Sequence, residues 1–168
     1  NDQGFRGHQW LTMKTWSPTG KAWVKPVTVA RAKDPALLSR DGMATVVQLG
    51  RGRLLCAFEG VQAQSPHAGC LRFVTSDDDG VTWSWKTSDR PILYQPSDRR
   101  FHAFSPSLCR LSEKSLALIF CTNEDRPEPG ISGTPARELN LDIKMIVSQD
   151  GGGTWPTRAD LVHHGKGQ

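Results

Sequence analysis

The sequence predicts an all-β fold built from repeated four-stranded sheets, and two observations support this prediction. First, two eight-residue segments, Ser76–Trp83 and Ser148–Trp155, share the pattern S-x-D-x-G-x-T-W. Second, the residues before each segment alternate between apolar and polar side chains, which is the two-residue period of a β-strand. No segment shows a convincing helical period. We therefore expect antiparallel all-β structure.

Each copy of the pattern belongs to a unit with the same order of elements. Two apolar runs are joined by a tight turn, a long loop leads to a third strand, and that strand runs into the S-x-D-x-G-x-T-W turn and a fourth strand. This order is that of one blade of a β-propeller. The paired runs are Met43–Leu49 with Arg53–Phe58 and Ser107–Leu111 with Ser115–Cys121, and the third strands lie around Leu71–Phe73 and Leu139–Val147.

The spacing of the copies predicts how the chain is divided. A degenerate third copy, Trp16–Trp23, keeps the glycine and the last tryptophan, so the tryptophans fall at 23, 83 and 155, which are spacings of 60 and 72 residues. Such spacings suit a four-stranded blade with one long loop. We expect residues 1–35 to end one blade, 36–98 to form a full blade, and 99–168 to form three strands of the next blade with the start of its fourth.

The repeated segment itself has the chemistry of a turn. Serine and aspartate side chains accept hydrogen bonds from nearby backbone N–H groups, and glycine supplies the positive φ of a tight hairpin. We expect these turns to be exposed and their tryptophans to be at least partly buried. Calcium binding by Asp77, Asp78 and Asp79 is the alternative. It lacks the alternating acidic frame and the final glutamate of an EF-hand loop.

The S-x-D-x-G-x-T-W turns resemble the Asp-box (BNR) repeats of the sialidase superfamily, whose members are usually six-bladed β-propellers. Short motifs also resemble the exo-arabinanase-like glycoside hydrolases of family 93: Arg40–Met43, Leu54–Glu59 and Phe120–Asp125. Six blades need on the order of 350–450 residues. The resemblance thus implies that this chain holds two to three blades, and that the remaining blades come from further sequence of the same polypeptide or from another chain.

The order of the strands predicts where the candidate active-site residues lie. In a propeller blade, the loops from the second to the third strand emerge at the same end as the connections between blades, and superfamily enzymes place their active site at that end. Several charged residues are expected around this mouth. They are Arg40 and Asp41, Glu59, Glu124 and Asp125, and Arg99, Arg100 and His102.

Glycoside hydrolysis needs two carboxyl groups of different protonation, and Glu59 is the first candidate. It follows five apolar residues, Leu54–Phe58, which can raise a carboxyl pKa toward the range of a catalytic acid. The resemblance maps one catalytic carboxylate onto Glu59 and sugar-contacting roles onto Arg40 and Asp41. The second catalytic carboxylate of that family would fall just before Asn1. The alternative for Glu59 is a solvated charge at the end of a strand.

The other charged residues at the mouth are candidates for substrate binding: Glu124, Asp125, Arg100 and His102. Glu124 and Asp125 precede a proline-punctuated loop, where acidic residues are often merely exposed and where ligands also bind. A sialidase needs a tyrosine nucleophile. The single tyrosine, Tyr94, is expected at or beyond the outer strand of its blade, away from the mouth.

The expected function is therefore that of a segment of an exo-acting glycoside hydrolase, which removes terminal sugars from a glycan and requires no metal or organic cofactor. A non-catalytic, lectin-like propeller that binds carbohydrate is the alternative. The partners expected are the carbohydrate and the remaining blades.

Composition argues against other classes of function. The 21 basic and 17 acidic side chains are scattered, so nucleic-acid binding lacks its electrostatic footprint. The longest apolar run, Leu116–Cys121, is too short to span a bilayer. The cysteines (Cys56, Cys70, Cys109 and Cys121) lack C-x-x-C spacing and are expected to be small buried thiols, with a Cys56–Cys70 bridge as the alternative if the protein is secreted. We expect a secreted or extracellular location.

Overall fold

The computed structural model describes residues 9–32, 39–62, 69–88, 90–97, 101–124 and 141–165, and for residues 39, 40 and 62 it describes the backbone alone. Within these ranges the fold is all-β, with antiparallel strands and one helical turn, α1, at Trp85–Ser88. The prediction of an all-β antiparallel structure is confirmed. In the part of the chain that the structure describes, no helix has the length and hydrophobicity to cross a membrane.

The first four strands are short. They are β1 (Leu11–Met13), β2 (Trp16–Ser17), β3 (Ala22–Trp23) and β4 (Val27–Ala30), and β1 pairs with β4 while β2 pairs with β3. The degenerate third copy of the pattern forms the β2–β3 hairpin. It places Pro18 and Ala22 where the intact copies carry Asp and Thr, so the bonds of the aspartate carboxylate cannot form, while the Gly20 amide still donates to the Ser17 hydroxyl at 3.1 Å. Trp23 is accordingly 64% exposed, against our expectation of partial burial.

The next four strands form sheet I: β5 (Ser39–Gly50), β6 (Arg53–Gln62), β7 (Gly69–Ser76) and β8 (Ile92–Tyr94), hydrogen-bonded in that order. The β5–β6 hairpin turns at Arg51–Gly52, and Gly52 has a φ of 74°. Only glycine adopts such a φ without strain. Because β5 begins at Ser39 and β6 ends at Gln62, Asp41 and Glu59 lie inside strands rather than at their ends.

The last four strands form sheet II: β9 (Ala103–Arg110), β10 (Leu116–Thr122), β11 (Asp142–Ser148) and β12 (Asp160–His163), again hydrogen-bonded in chain order. The sequence predicted three strands and the start of a fourth, and the fourth, β12, is present as four residues. Sheets I and II thus repeat one topology.

The two S-x-D-x-G-x-T-W turns form the same set of hydrogen bonds. In the first, the Thr82 amide and hydroxyl donate to the Asp78 carboxylate at 2.8 and 2.6 Å, and the Gly80 amide donates to the Ser76 hydroxyl at 2.9 Å. The Trp83 indole donates to the Gly80 carbonyl at 3.0 Å. The second turn repeats these bonds with distances of 2.7–3.2 Å through Ser148, Asp150, Gly152, Thr154 and Trp155. Trp83 is buried and Trp155 is half-buried, as predicted.

Sheets I and II pack face to face. Side chains on one face of sheet I, which we call its facing side, form a core with one face of sheet II: they include Leu55, Ala57 and Leu71 from sheet I and Leu118, Phe120 and Ile146 from sheet II. The opposite face of sheet I, its far side, packs Cys56, Phe58 and Val74 against Val29 and Ala30 of β4. Alternation along each strand therefore divides sheet I between two cores.

The intact turns give a prediction about pH. Hydrogen bonds from Thr154 and Ser148 lower the pKa of Asp150 to about 2, and those from Thr82 and Ser76 also lower the pKa of Asp78. The contribution of Asp150 to stability is present above the pKa of about 3.9 that a free aspartate has, and is lost as pH falls toward 2. An NMR titration of the Asp150 carboxyl carbon should show its midpoint near pH 2.

The variant Asp150→Asn is the control, because it removes the titrating group and keeps the shape of the side chain. It should be less stable than the wild type at pH 7, and this difference should shrink between pH 4 and pH 2. A midpoint near pH 4 for Asp150 would contradict the hydrogen-bond pattern.

Candidate functional site

Glu59 lies on the facing side of sheet I. Its partners in register are Gly42 on β5 and Leu71 on β7, and Leu71 belongs to the core between the sheets. Glu59 is only 5% exposed. The strand-end alternative, a solvated charge, is therefore wrong. A carboxylate at this depth needs polar partners, because burial of an unpaired charge is costly.

Asp41 lies on the opposite face of sheet I, although it is only one register position away from Glu59. Its register partner is Gly60, so alternation directs it to the far side. Asp41 forms an ion pair with Arg90 at 2.5 Å, and both side chains are almost completely buried. The sequence predicted Asp41 and Glu59 around one mouth. The structure instead separates them by the thickness of sheet I and gives Asp41 a partner within the protein.

Arg72 extends the ion pair into a chain of contacts. Its guanidinium donates to the Arg90 carbonyl at 2.6 Å. The side chain passes over Gly60, where a Cβ atom would lie 2.5 Å from Cδ of Arg72. Glycine at position 60 is therefore needed for Arg72 to reach Arg90, and Arg90 in turn to hold Asp41 on β5.

Two thiols lie on the same far side. Burial raises the pKa of Cys56 to about 12, and burial also raises the pKa of Cys70, a shift that Arg72 and Arg90 partly oppose. Both cysteines are free, so the Cys56–Cys70 bridge considered from the sequence is absent. The Cys70 thiol instead donates to the Gly60 carbonyl at 3.3 Å. Cys109 is exposed, which contradicts its prediction as a buried thiol.

Glu124 lies two residues after β10 and has two strong partners. The Tyr94 hydroxyl contacts both carboxylate oxygens, at 2.7 and 2.8 Å, and Lys144 on β11 forms an ion pair with Oε1 at 2.5 Å. Tyr94 ends β8, the edge strand of sheet I, as predicted for an outer strand. The sequence predicted Tyr94 away from the mouth and Glu124 at it, and the structure brings these two side chains into contact.

The Tyr94–Glu124–Lys144 group borders an open cleft of about 600 Å³ between the edge strands β8 and β12. The cleft is also lined by Arg158 and Asp160. Neither Lys144 nor Arg158 was predicted as a site residue. Lys144 lies among alternating apolar residues, where a lysine is expected at an exposed position. Its 6% exposure is visible only in the packed sheets.

His102 precedes β9 directly, at the edge of sheet II nearest to β7. Its Nδ1 accepts a hydrogen bond from the Gly69 amide at 2.9 Å, and its own amide donates to the Asn123 side chain at 2.8 Å. A ring nitrogen that accepts a hydrogen bond carries no proton, so the proton of the neutral ring is on Nε2. His102 thus links the two sheets, and its Nε2–H group points away from Gly69.

The remaining predicted residues are placed in part. Arg40 lies in β5 opposite Val61, and only its backbone is described. Arg99, Arg100 and Asp125 lie outside the described residues. Of the predicted set, the structure brings Glu59, Glu124 and His102 to the boundary between the two sheets, and it directs Asp41 to the other face of sheet I. Within the described ranges, no three His, Cys, Asp or Glu side chains cluster as metal ligands would.

Comparison of this chain with models of known protein families and with curated protein sequences finds no match. The assignment of a function therefore depends on the geometry described above and on the resemblance of the repeated turns.

The Asp41–Arg90 pair gives a prediction about stability. Removing one partner breaks a buried ion pair and leaves the other charge in the protein interior, which costs about 3–5 kcal/mol. Asp41→Ala should therefore lower the free energy of unfolding by about that amount in urea denaturation. The double variant Asp41→Leu/Arg90→Met should recover most of the loss, because apolar residues of similar volume replace both charges.

Asp77 offers a matched control, because its ion pair with Arg53 is largely exposed. Asp77→Ala should change the free energy of unfolding by about 0–1 kcal/mol. If Asp41→Ala has an effect no larger than Asp77→Ala, the buried pair does not hold β5 in place.

Proposed function

We propose that this chain is a segment of an Asp-box β-propeller that acts as an exo-glycoside hydrolase, with Glu59 as a catalytic carboxylate. The proposal joins two parts, a larger propeller and a carbohydrate site at the boundary between sheets I and II. Each part has its own support and its own test.

The propeller is supported by the repeated topology and by the burial pattern of β11 in sheet II, where polar side chains are buried and several apolar ones are half-exposed. Along β11 the buried positions include Asp142, Lys144 and Ser148, while Ile143, Met145 and Val147 are half-exposed. A strand that faced water on one side would bury its apolar residues instead. The apolar far side of sheet II is therefore suited to packing against a further sheet, as the facing side of sheet I packs against sheet II.

The register supports the same conclusion. Ile119, Cys121 and Ile143 on the far side of sheet II occupy the places that Ala57, Glu59 and Leu71 occupy on the facing side of sheet I. Sheet II covers the facing side of sheet I. A third sheet of the same topology would cover the far side of sheet II, whose half-exposed apolar side chains are of the kind that mark interaction surfaces.

The catalytic assignment depends on one observation: Glu59 is a carboxylate buried to 5% exposure, and its neighbour across the strand pair is a glycine. A Cβ built on that glycine, Gly42, would meet no atom of the described residues within 4 Å apart from those of its chain neighbours. A glycosidase needs a desolvated carboxyl group that a sugar can reach. Asp41, with its partner Arg90, acts in this proposal by holding β5 rather than by contacting the sugar.

The lectin-like alternative is supported by the state of the other carboxylates. Asp41 pairs with Arg90, Glu124 with Lys144, and Asp142 with His164. A sugar would have to displace these partners in order to reach any of the three carboxylates. These three residues are therefore poor candidates for the second catalytic group, and a pocket that binds sugars without cleaving them remains the second candidate function.

Substitution of Glu59 tests the enzymatic part. In the full-length protein, Glu59→Gln should lower the hydrolysis of a cleaved aryl glycoside by about 10²–10⁴-fold, because it removes the carboxyl group and keeps its shape. The screen would use aryl arabinosides, aryl sialosides and arabinan, with release of the aryl group or of reducing sugar as the measurement. Glu113→Gln, at an exposed turn, is the matched control and should keep full activity.

Glycan binding without turnover, unaffected by Glu59→Gln, would favour the lectin-like function. Equal hydrolysis by both variants would remove Glu59 from the mechanism.

The larger propeller is tested on the 168-residue chain by light scattering. Because the apolar far side of sheet II is half-exposed, the chain should self-associate, and Ile143→Lys together with Met145→Lys should reduce this association. Val81→Lys is the control, because Val81 is exposed in the first repeated turn and is not part of that face. A stable monomer with sharp cooperative unfolding would contradict the proposal.

A further inference from the structure

A hairpin with two exposed tryptophans precedes sheet I. It comprises residues 14–25, which we call the Trp hairpin, and it contains β2 and β3. Trp16 and Trp23 are register partners, and their rings pack edge to face with centroids 5.6 Å apart. Both residues are more than half exposed, and every other residue of the hairpin except Ser17 is exposed as well. Exposed apolar side chains that adjoin one another mark interaction surfaces.

The charged side chains of this region all have one sign. Within residues 9–32 they are four exposed cations and no anion: Lys14, Lys21, Lys25 and Arg31. The three lysines lie in the Trp hairpin, each two residues away from Trp16 or Trp23 in the sequence. The whole chain, in contrast, mixes both signs, with 21 basic and 17 acidic side chains. The hairpin is therefore complementary in charge to an anionic partner.

The turn of the Trp hairpin differs from the two intact S-x-D-x-G-x-T-W turns. Trp16 stands where they have serine, Pro18 where they have aspartate, and Lys21 where they have an uncharged residue. The intact turns have a positive φ at their glycine, 85° at Gly80 and 90° at Gly152, whereas the Trp hairpin has a φ of 47° at Lys21. Residues other than glycine that adopt such a φ cluster at functional sites. This copy of the turn has thus lost an anion and gained a ring and a cation.

The Trp hairpin begins where the packing against sheet I ends. Met13, the last residue of β1, packs against the core on the far side of sheet I, and its methyl group would clash with a Cβ built on Gly80. The hairpin starts at the next residue and is held by bonds within itself. The Val24 amide donates to the Thr15 carbonyl at 2.9 Å, and the Gly20 amide donates to the Ser17 hydroxyl at 3.1 Å. The tryptophan pair therefore lies beyond the core that Met13 joins.

We infer that the Trp hairpin binds the surface of a membrane that contains anionic lipids. Tryptophan rings are favoured at the level of the lipid headgroups, where one part of the ring is in an apolar environment and its N–H group is in a wet one. Lysines beside them contact the anionic headgroups while their methylene stems lie along the apolar surface. The hairpin lies on the membrane and does not cross it. This inference does not depend on the catalytic role of Glu59.

The composition of the hairpin favours a lipid surface over an anionic polysaccharide. Residues 10–32 contain no Asp, Glu, Asn or Gln. These are the side chains whose paired acceptor and donor atoms can orient the hydroxyl groups of a sugar. The two indole rings also pack on each other edge to face, which covers part of one ring face that a sugar would need for stacking. Apolar rings with lysines, and without such polar side chains, match the interfacial region of a bilayer.

The test measures binding of the full-length protein to vesicles by co-sedimentation. One set of vesicles is pure phosphatidylcholine, and the other contains about 30% phosphatidylserine, which supplies the anionic charge. Lys21→Gln/Lys25→Gln is compared with Lys86→Gln/Lys114→Gln, which removes two exposed lysines outside the hairpin. Trp23→Ser is compared with Trp10→Ser. Trp10 is also exposed, but it precedes β1 and follows Gln9, whose carbonyl accepts a hydrogen bond from the Asp41 amide.

The wild type should bind the anionic vesicles and should bind phosphatidylcholine vesicles more weakly. Each lysine near an anionic surface contributes about fivefold in affinity, so Lys21→Gln/Lys25→Gln should weaken binding about 25-fold. Trp23→Ser should weaken it about tenfold, because it removes a large apolar side chain from the interface. Both control variants should bind as the wild type does. Brominated lipids should quench the tryptophan fluorescence of the wild type more than that of Trp23→Ser.

Three results would overturn the inference. The first is that the wild type binds neither kind of vesicle. The second is that the lysine variant and its control lose binding equally, since the attraction would then be a property of the whole charged surface. The third is that the wild type binds dextran sulfate but not the anionic vesicles, which would assign the hairpin to an anionic polysaccharide. If Trp23→Ser does not fold, the lysine variant and the quenching of the wild type decide the question.

Discussion

The alternation of side chains between the two faces of a strand is the constraint on which the rest of this structure depends. The central strands of sheet I, β6 and β7, are buried on both faces, so a shift of one residue changes which core a side chain enters. Asp41 and Glu59 illustrate the consequence. They are separated by one step of register, and that step directs Asp41 toward Arg90 on the far side and Glu59 toward sheet II.

The repeated turns connect this alternation to the packing of the sheets. Gly152 has a φ of 90°, and a Cβ there would lie 3.0 Å from Leu55 in sheet I and 3.1 Å from Leu116 in sheet II. The glycine is thus required by the turn and by the contact between the sheets. Serine and aspartate in the same segment satisfy the backbone donors locally, so the turn needs no partner from a neighbouring sheet to keep its shape.

Much of the fold could be predicted from the sequence, because the signals are local. The two intact turns, the hairpin at Arg51–Gly52 and the two-residue period of β11 follow from short segments. The third copy was harder to predict. It keeps the tryptophan, but Pro18 and Ala22 replace the aspartate and the threonine whose side chains are bonded in the intact turns.

The site was predictable only in part, because it depends on contacts between residues far apart in the sequence. Arg90 meets Asp41 across 49 positions, and Tyr94 meets Glu124 across 30. Neither partner carries a local signal. The burial of Lys144 was missed for a related reason, since its apolar neighbours on β11 suggest the opposite orientation of the strand.

A comparison of the two sheets distinguishes residues that both sheets use for packing from residues that only one sheet has. Arg72 and Lys144 occupy equivalent places, and each is a buried cation with a polar partner on its own sheet or beside it. A feature present in both sheets is explained by the packing of one sheet on the preceding unit. Gly42 and Glu59 have no such counterpart, because sheet II carries Phe104 and Cys121 in their places. The packing of the sheets therefore does not by itself require a glycine at position 42 or a carboxylate at position 59.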